Sequence, residues 1–476
     1  MSELFRLTAR EAVRLLRSGE VSPVEMVRAS LQRIESTDGA LNALPTVCAE
    51  RALAHARSLQ DAKPGIGRGH TWLGGLPIGV KDLNDVAGVR TTYGSTLFAE
   101  HVPDGSDAMV ETLEANGAIV IGKTNTPEFG HGANTFNEVF GKTRNPWNTA
   151  KTCGGSSGGS AVAVATGQTW LATGSDLGCS LRTPAAFCSV VGLRPSPGRI
   201  ARSRGRLAYD NLWVQGPMAR NVGDVALMLD AMTGHHWADP ISIPHHGESF
   251  VDAVDRPVAP RRIAYSNDLD GLTPVAREIA EICAAGVARF SEIGASVEQA
   301  CPDLRDARAI FKVLRANQFV GDLAPIIEAN RERVRKELVW NMDLGRKMTA
   351  GDIADAERRR GQLYLRAAAF FKDFDFLVTP AAIVAPFDVD IRALDEVEGV
   401  KLDNYYEWYS ISYAITLTSL PAISLPCGFT KSGLPVGLQI VGPPRGEARL
   451  LGVARMMEEV FGIAGRLPID PMPHTP

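Results

Sequence analysis

Cysteine is sparse and unpatterned in this chain of 476 residues. Seven are scattered at Cys48, Cys153, Cys179, Cys188, Cys283, Cys301 and Cys427, with no CxxC pair among them. None of the nine histidines stands at metal-ligand spacing beside a cysteine. Such a pattern speaks against a disulfide framework and against a zinc site, and it predicts a reducing, cytoplasmic setting with no metal and no cofactor. An excess of either charge is also missing: 50 Lys and Arg face 54 Asp and Glu, a net charge of −4. Nucleic-acid binders usually carry a marked basic excess, so that partner is not expected. Membrane-length apolar runs are lacking too. Residues 152–175 hold no charge, but 15 of the 24 are Gly, Ser, Thr or Gln. Residues 408–430 are broken by Pro421 and Pro426 and rich in hydroxyls. Neither would cross a bilayer. The N-terminal MSELFRLTAREAVRLLRSGE is charged throughout, so no signal peptide is read there.

What the chain does have is strand–helix alternation. Thr8 with Glu11, and Ser22-Pro23-Val24-Glu25, form capping-box patterns that predict two helices, the second ending at Asp38-Gly39. Val24, Val27, Leu31 and Ile34 give that second helix one apolar face. From about residue 70, short apolar runs lie between Gly and Pro. Residues 76–80 and 118–121 read as buried strands, the latter preceded by a helix over 107–116. Residues 235–260 read as loop, residues 275–370 as mainly helical, and residues 374–380, 422–425 and 436–440 as strands again. Strands on both sides of the helical stretch imply one sheet shared by the whole chain, with the helices inserted.

Glycine is over-represented, at 46 residues, and it is concentrated: residues 154–198 hold nine glycines and seven serines. At the centre lies Gly154-Gly155-Ser156-Ser157-Gly158-Gly159-Ser160. A phosphate-binding loop would end in Gly-Lys-Ser/Thr, whereas Gly159 is followed by Ser160-Ala161. A nucleophile elbow fits G-x-S-x-G with Ser157 in the middle, but it needs a downstream acid and histidine. The histidines available lie at 235–246 or at His474, and nothing distinguishes them. A flexible linker does not sit between a strand and a small-residue helix at 161–166.

A third functional reading takes in the surroundings. Gly174-Ser175-Asp176-Leu177-Gly178-Cys179-Ser180-Leu181-Arg182-Thr183-Pro184 follows the glycine-rich loop, and Gly75-Leu76-Pro77-Ile78-Gly79-Val80-Lys81-Asp82 precedes it. With Val191-Gly192-Leu193-Arg194-Pro195-Ser196, Thr418-Ser419-Leu420-Pro421-Ala422-Ile423-Ser424-Leu425-Pro426 and Gly433-Leu434-Pro435-Val436-Gly437-Leu438-Gln439, the chain resembles the amidase signature family of serine hydrolases from about residue 8 to 442. The resemblance implies an α/β fold, a central mixed β-sheet covered by helices on both faces. It also implies one domain over 1–476, with N-terminal helices at about 8–60, a catalytic core at about 70–230, a helical insertion at about 275–370 and the sheet resumed at about 374–465. It implies hydrolysis of an amide, anilide, carbamate or ester through an acyl-enzyme. Ser180 would be the nucleophile, Ser156 the bridging serine on a cis peptide, and Lys81 the base. Backbone N–H groups of Leu177, Gly178, Cys179 and Ser180 would form the oxyanion hole, with Asp176, Arg182 and Ser157 supporting the loop.

That assignment is chemically coherent. A lysine near its ordinary pKa of about 10.4 cannot take a serine proton, but burial away from carboxylates lowers it. Strand alternation predicts that Asp82 points away from Lys81. One departure stands out: Cys179 occupies a position that is usually glycine in the family. Either it needs positive φ and is strained, or its side chain intrudes on the acyl or leaving-group side; a catalytic thiol is a further reading. Ser189 replaces another common glycine, read here as neutral. The pocket candidates are Phe129, His131 and Asn134, together with Tyr405 and Tyr409 from an aromatic cluster that packs as core or forms a lip over an acyl group. The implied partner is a small-molecule amide, with no nucleic acid, no membrane, and a homodimer left open. The alternative is the glutamine-amidase subunit of a tRNA-dependent amidotransferase, which would use the same three residues.

Overall fold

The computed structural model describes residues 3–61, 69–203, 207–244 and 249–473. Both N-terminal helices, Ala9–Ser18 and Pro23–Leu41, begin at capping boxes, with the Thr8 and Ser22 hydroxyls accepting from the backbone N–H groups of Glu11 and Glu25. The second helix runs past the Asp38-Gly39 stop expected from sequence. Asn42, in the left-handed region at φ 58°, ends it instead, while the Asp38 carboxylate accepts the N–H groups of Ala43 (2.7 Å) and Leu44. Asp38 therefore acts as a cap from inside the last turn, which its turn-forming character in sequence concealed.

Among the described residues eleven strands form one sheet: β1 Thr46–Val47, β2 Leu76–Lys81, β3 Ala118–Thr124, β4 Leu171–Asp176, β5 Val191–Arg194, β6 Val214–Ala219, β7 Arg262–Tyr265, β8 Ser296–Gln299, β9 Phe376–Pro380, β10 Ala422–Phe429 and β11 Pro435–Val441. Their spatial order is β1-β3-β2-β4-β6-β5-β10-β11-β9-β7-β8. The pairs β2/β3, β2/β4, β7/β9 and β7/β8 are parallel, and the remaining pairs antiparallel, so the sheet is mixed.

The unbroken apolar run of β3 explains why this sheet must be covered twice. Ala118 and Val120 join a core shared with the helices Ala9–Ser18, Val222–Met232 and Glu447–Phe461, whereas Ile119 and Ile121 join another with Pro23–Leu41 and Gly158–Ala165. Successive side chains of a strand face opposite sides, so an all-apolar strand needs helices on both. Strands β7 and β8 are a correction to the sequence reading. Residues 235–260 contain a helix, Phe250–Asp255, and residues 262–265 and 296–299 extend the sheet to its edge before and within the stretch expected to be helical. Both strands are four residues long and β8 is largely exposed, which leaves little hydrophobic signal to read. Among the described residues, no helix is long and apolar enough to cross a membrane.

Candidate active site

Strands β2 and β4 run parallel and side by side, so their C-terminal ends, Lys81 and Asp176, emerge at the same edge of the sheet. Lys81 is fully buried. Its backbone N–H donates to Thr173 Oγ1 (3.0 Å), and its Nζ lies 2.7 Å from Ser156 Oγ, 2.8 Å from Ser157 Oγ and 3.0 Å from Ser175 Oγ. Burial lowers its pKa to about 7, with only partial opposition from the charge of Asp176. Asp82 does turn away, as alternation predicts: its carboxylate accepts from Thr92 and pairs with the buried Lys123 at 3.2 Å.

Ser156 follows a cis Gly155–Ser156 peptide bond, and its hydroxyl opens onto a cavity of about 420 Å³. Tight approach explains the glycine before it, since a Cβ on Gly155 would meet the Asn134 backbone at 2.8 Å. Ser157 does not face the cavity. It is buried, with its backbone N–H donating to Ser180 O (3.3 Å) and its hydroxyl donating to Ser175 O (3.3 Å). That placement leaves the elbow reading without an accessible nucleophile. Of its histidine candidates, His245, His246 and His474 lie outside the described residues, while the described His235 and His236 do not line the cavity, and His236 Nε2 lies 3.5 Å from Glu111.

After Asp176 the chain bends through residues 177–181 into the helix Arg182–Cys188. The bend is held from within. Arg182 Nη2 and Nε donate to the two carboxylate oxygens of Asp176 (2.7 and 3.0 Å), and Leu181 N–H donates to Oδ2 (3.0 Å). Arg182 also reaches Ser412 O and Gln439 Oε1, tying the bend to the helix Ser410–Leu417 and to β11. Burial works to raise the Asp176 pKa, but Arg182, together with Arg194 and the Leu181 N–H, outweighs it and keeps the carboxyl below its usual value. Leu177, Gly178, Cys179 and Ser180 all line the cavity. Among the described residues, no protein acceptor takes their four backbone N–H groups, and the Ser180 hydroxyl has no partner.

Cys179 is not in the left-handed region, so a side chain is tolerated there without backbone strain. Its thiol points at Gly155 O (3.7 Å), and burial pushes its pKa up to about 12, which keeps it a protonated packing group. Ser189 is the strained one of the two glycine replacements. It sits at φ 57° as the C-cap of Arg182–Cys188, with its buried hydroxyl unpartnered, so its substitution is not neutral as sequence suggested.

Of the pocket candidates, Phe129, His131 and Tyr409 line the cavity. His131 packs against Phe319 at a tilt (4.1 Å between centroids, 37° between planes), and burial together with Arg315 and Arg335 holds it neutral, well below its usual pKa. Tyr409 packs on the bend, where a Cβ on Gly178 would meet its ring at 2.7 Å. Asn134 and Tyr405 lie outside the lining. Asn134 donates to Ile391 O and Arg392 O and accepts from Thr152, bracing the glycine-rich loop from behind. Tyr405 Oη accepts from Arg315 and Asn341, behind the cavity wall. Sequence reasoning missed Ser175, the third hydroxyl on Lys81, although it lies two positions after Thr173 and so on the same face of β4. It also missed Arg315, Gln318 and Phe319, brought to the cavity by the helix Ala307–Asp322.

A buried amine with a pKa near neutrality, bonded to a hydroxyl that faces a cavity, can exchange protons there; free N–H groups beside it can stabilise an oxyanion. The sequence profile of the family described as Amidase matches residues 25–451. Among curated proteins, an acylamidase of Rhodococcus erythropolis is 34% identical, covering 98% of both chains. A glutamyl-tRNA(Gln) amidotransferase subunit from Synechococcus sp. (strain CC9605) is also 34% identical, over 95% of this chain and 96% of its own. Among solved structures, a bacterial aryl acylamidase of the amidase signature family superposes with a TM-score of 0.86 at 26% identity, covering 98% of this chain and 100% of that one. The 6-aminohexanoate cyclic dimer hydrolase complexed with substrate gives the same TM-score and identity over 98% and 99%.

Proposed function

Because this chain belongs to the amidase family, and is thereby a hydrolase of amide C–N bonds, we propose that it works through Ser180, Ser156 and Lys81 on small-molecule acylamides. The observation that carries this reading is the buried Lys81 amine, with a pKa of about 7, held 2.7 Å from the cavity-facing Ser156 hydroxyl. A neutral amine has two N–H donors and one lone pair. Ser157 already sends its own proton to Ser175 O, so it receives one N–H, and the lone pair is left for a proton from Ser156 or Ser175. Ser156 passes its proton to Lys81 while taking that of Ser180, whose oxygen attacks the amide carbon. The N–H groups of residues 177–180 receive the developing oxyanion, each such donor typically contributing about 10²–10³ in rate. The proton returns through Ser156 to the departing amine, breaking the C–N bond. Water then cleaves the acyl-enzyme to release the acid and restore Ser180.

The test is turnover by the purified chain alone on primary amides, anilides, carbamates and esters, with the acid product quantified. Ser180→Ala should lose at least ~10³ in kcat, and Ser156→Ala and Lys81→Met should fall similarly. Full activity in Lys81→Met would overturn the assignment. The equally similar amidotransferase subunits favour a second reading, glutamine hydrolysis within a multi-subunit complex. Activity on simple amides without partners argues against it; turnover of glutamine alone, and only with partner subunits, argues for it.

A further inference from the structure

Arg315 stands apart from the other buried arginines. It projects from the helix Ala307–Asp322 into the wall of the same cavity and is only 3% exposed. Its guanidinium carbon lies 5.2 to 5.8 Å from the ring centres of Phe319, Tyr406, Tyr405 and Phe311. Among the described residues it has no carboxylate partner, and a single acceptor, Tyr405 Oη at 2.7 Å from Nη2; its Nε is enclosed with none. Arg182 and Arg194 share Asp176. Arg360, which also lacks a carboxylate, places Nε, Nη1 and Nη2 on three oxygens, and Arg220 reaches two carbonyls. Aromatic rings stabilise the faces of a guanidinium but cannot accept its in-plane N–H groups, of which there are five. A charge buried this deeply with one acceptor is costly unless an anion completes it.

Phe98, Phe129, Trp213, Leu323 and Ile326 give the cavity an apolar wall. Three carboxylates also line it: Asp85 and Asp107 already accept from Tyr93 Oη (2.6 Å) and Asn84 Nδ2 (3.0 Å), and Asp322, at the end of the same helix as Arg315, is engaged elsewhere. We infer that the natural substrate is an amide with an apolar body and a carboxylate elsewhere in the molecule, the carboxylate held in the plane of the Arg315 guanidinium while the amide reaches Ser180. This deepens the hydrolase reading above and rests on it. The carboxylate is a handle and is unchanged by the reaction: water is consumed, the C–N bond breaks, and an acid and an amine or ammonia leave.

The experiment compares kcat/KM for matched pairs: adipic acid monoamide against hexanamide, and N-hexanoylglycine against N-ethylhexanamide, in the wild-type enzyme, Arg315→Lys and Arg315→Met. The wild-type enzyme should favour the carboxylate member of at least one pair by about 10- to 100-fold, the range of a charge-assisted bidentate contact, and Arg315→Met should erase that preference. Which pair responds tells whether the handle lies on the acyl or the amine side. Adipate binding to Ser180→Ala, by calorimetry, should weaken by a similar factor when Arg315→Met is added. This arm needs no turnover, and near-ultraviolet circular dichroism verifies that both variants are folded. Equal ratios in wild-type enzyme and Arg315→Met, with adipate binding unmoved, would overturn the inference while leaving the hydrolase reading intact. Absence of turnover on all four amides, with adipate still bound through Arg315, would instead count against the hydrolase reading.

Discussion

Replacing Lys81 with methionine, which keeps an unbranched stem as far as Cε but removes the amine, tests the electrostatic foundation of the site without any substrate. Burial takes the Lys81 pKa from 10.5 to about 7. Between those values the folded chain binds fewer protons at this position than the unfolded chain, so its stability rises with pH across the window. At about 1.4 kcal/mol per pK unit, holding the amine in the fold costs about 4 kcal/mol at pH 7, about 2 kcal/mol at pH 9, and nothing well above pH 10.5. Methionine carries no such dependence. The difference in unfolding free energy between wild type and Lys81→Met should therefore move by about 2 kcal/mol in favour of the wild type from pH 7 to pH 9. For a chain of this length, unfolding entropies of about 2 cal/mol/K per residue turn that into a change of about 2 °C in the gap between melting temperatures. Scanning calorimetry of both proteins at the two pH values reads it directly. Other groups titrate alike in both proteins and cancel; Asp176 stays ionised and Cys179 protonated over this range. Parallel pH curves for the two proteins would refute the lowered pKa, and with it the assignment of Lys81 as a base.

The same lowered pKa predicts that kcat/KM on a neutral amide rises with pH through an ionisation near 7, since only the neutral amine accepts a proton; a flat profile from pH 6 to 8 would contradict it. Cys179, with its thiol pushed up to about 12, should resist iodoacetamide at pH 8 in the folded enzyme and react once unfolded, as read by mass spectrometry of its peptide. Ser189→Gly relieves a left-handed serine and an unpartnered buried hydroxyl, and should gain about 1 kcal/mol after glycine's entropy in the unfolded chain is offset, measured by denaturant unfolding. Gly178→Ala places a methyl 2.7 Å from the Tyr409 ring; it should cost about 1–3 kcal/mol of stability and lower kcat together with it, because the displaced backbone carries the proposed oxyanion donors.

Much of the local structure was legible because it depends on near neighbours in the chain. The capping boxes at Thr8 and Ser22 place two helix starts, and the apolar runs at 76–80 and 118–121 place two central strands, through backbone and patterning rules that act within a few residues. Where signals were short or could be read two ways, they failed. The four-residue strand β7 exists because β9 offers an edge to pair with, and β8 because β7 then offers one, while Asp38 caps a helix from within because Ala43 and Leu44 turn back over it.

The sequence alone determined the chemistry on offer: a lysine at the end of an apolar strand, hydroxyls in a glycine-rich loop, and a family whose profile spans residues 25–451. Only the tertiary structure decided how those groups are used. Three hydroxyls converge on Lys81 because β2 and β4 lie side by side, and burial, which belongs to the whole fold, sets its pKa. Asn134 is held outside the cavity by Ile391, Arg392 and Thr152 and Tyr405 by Arg315 and Asn341, while the helix Ala307–Asp322, more than a hundred residues downstream of Ser180, brings Arg315 in. Reactivity can be read from residue types and spacing, but the pocket that chooses a substrate is built from side chains distant in sequence, and their directions are fixed by packing.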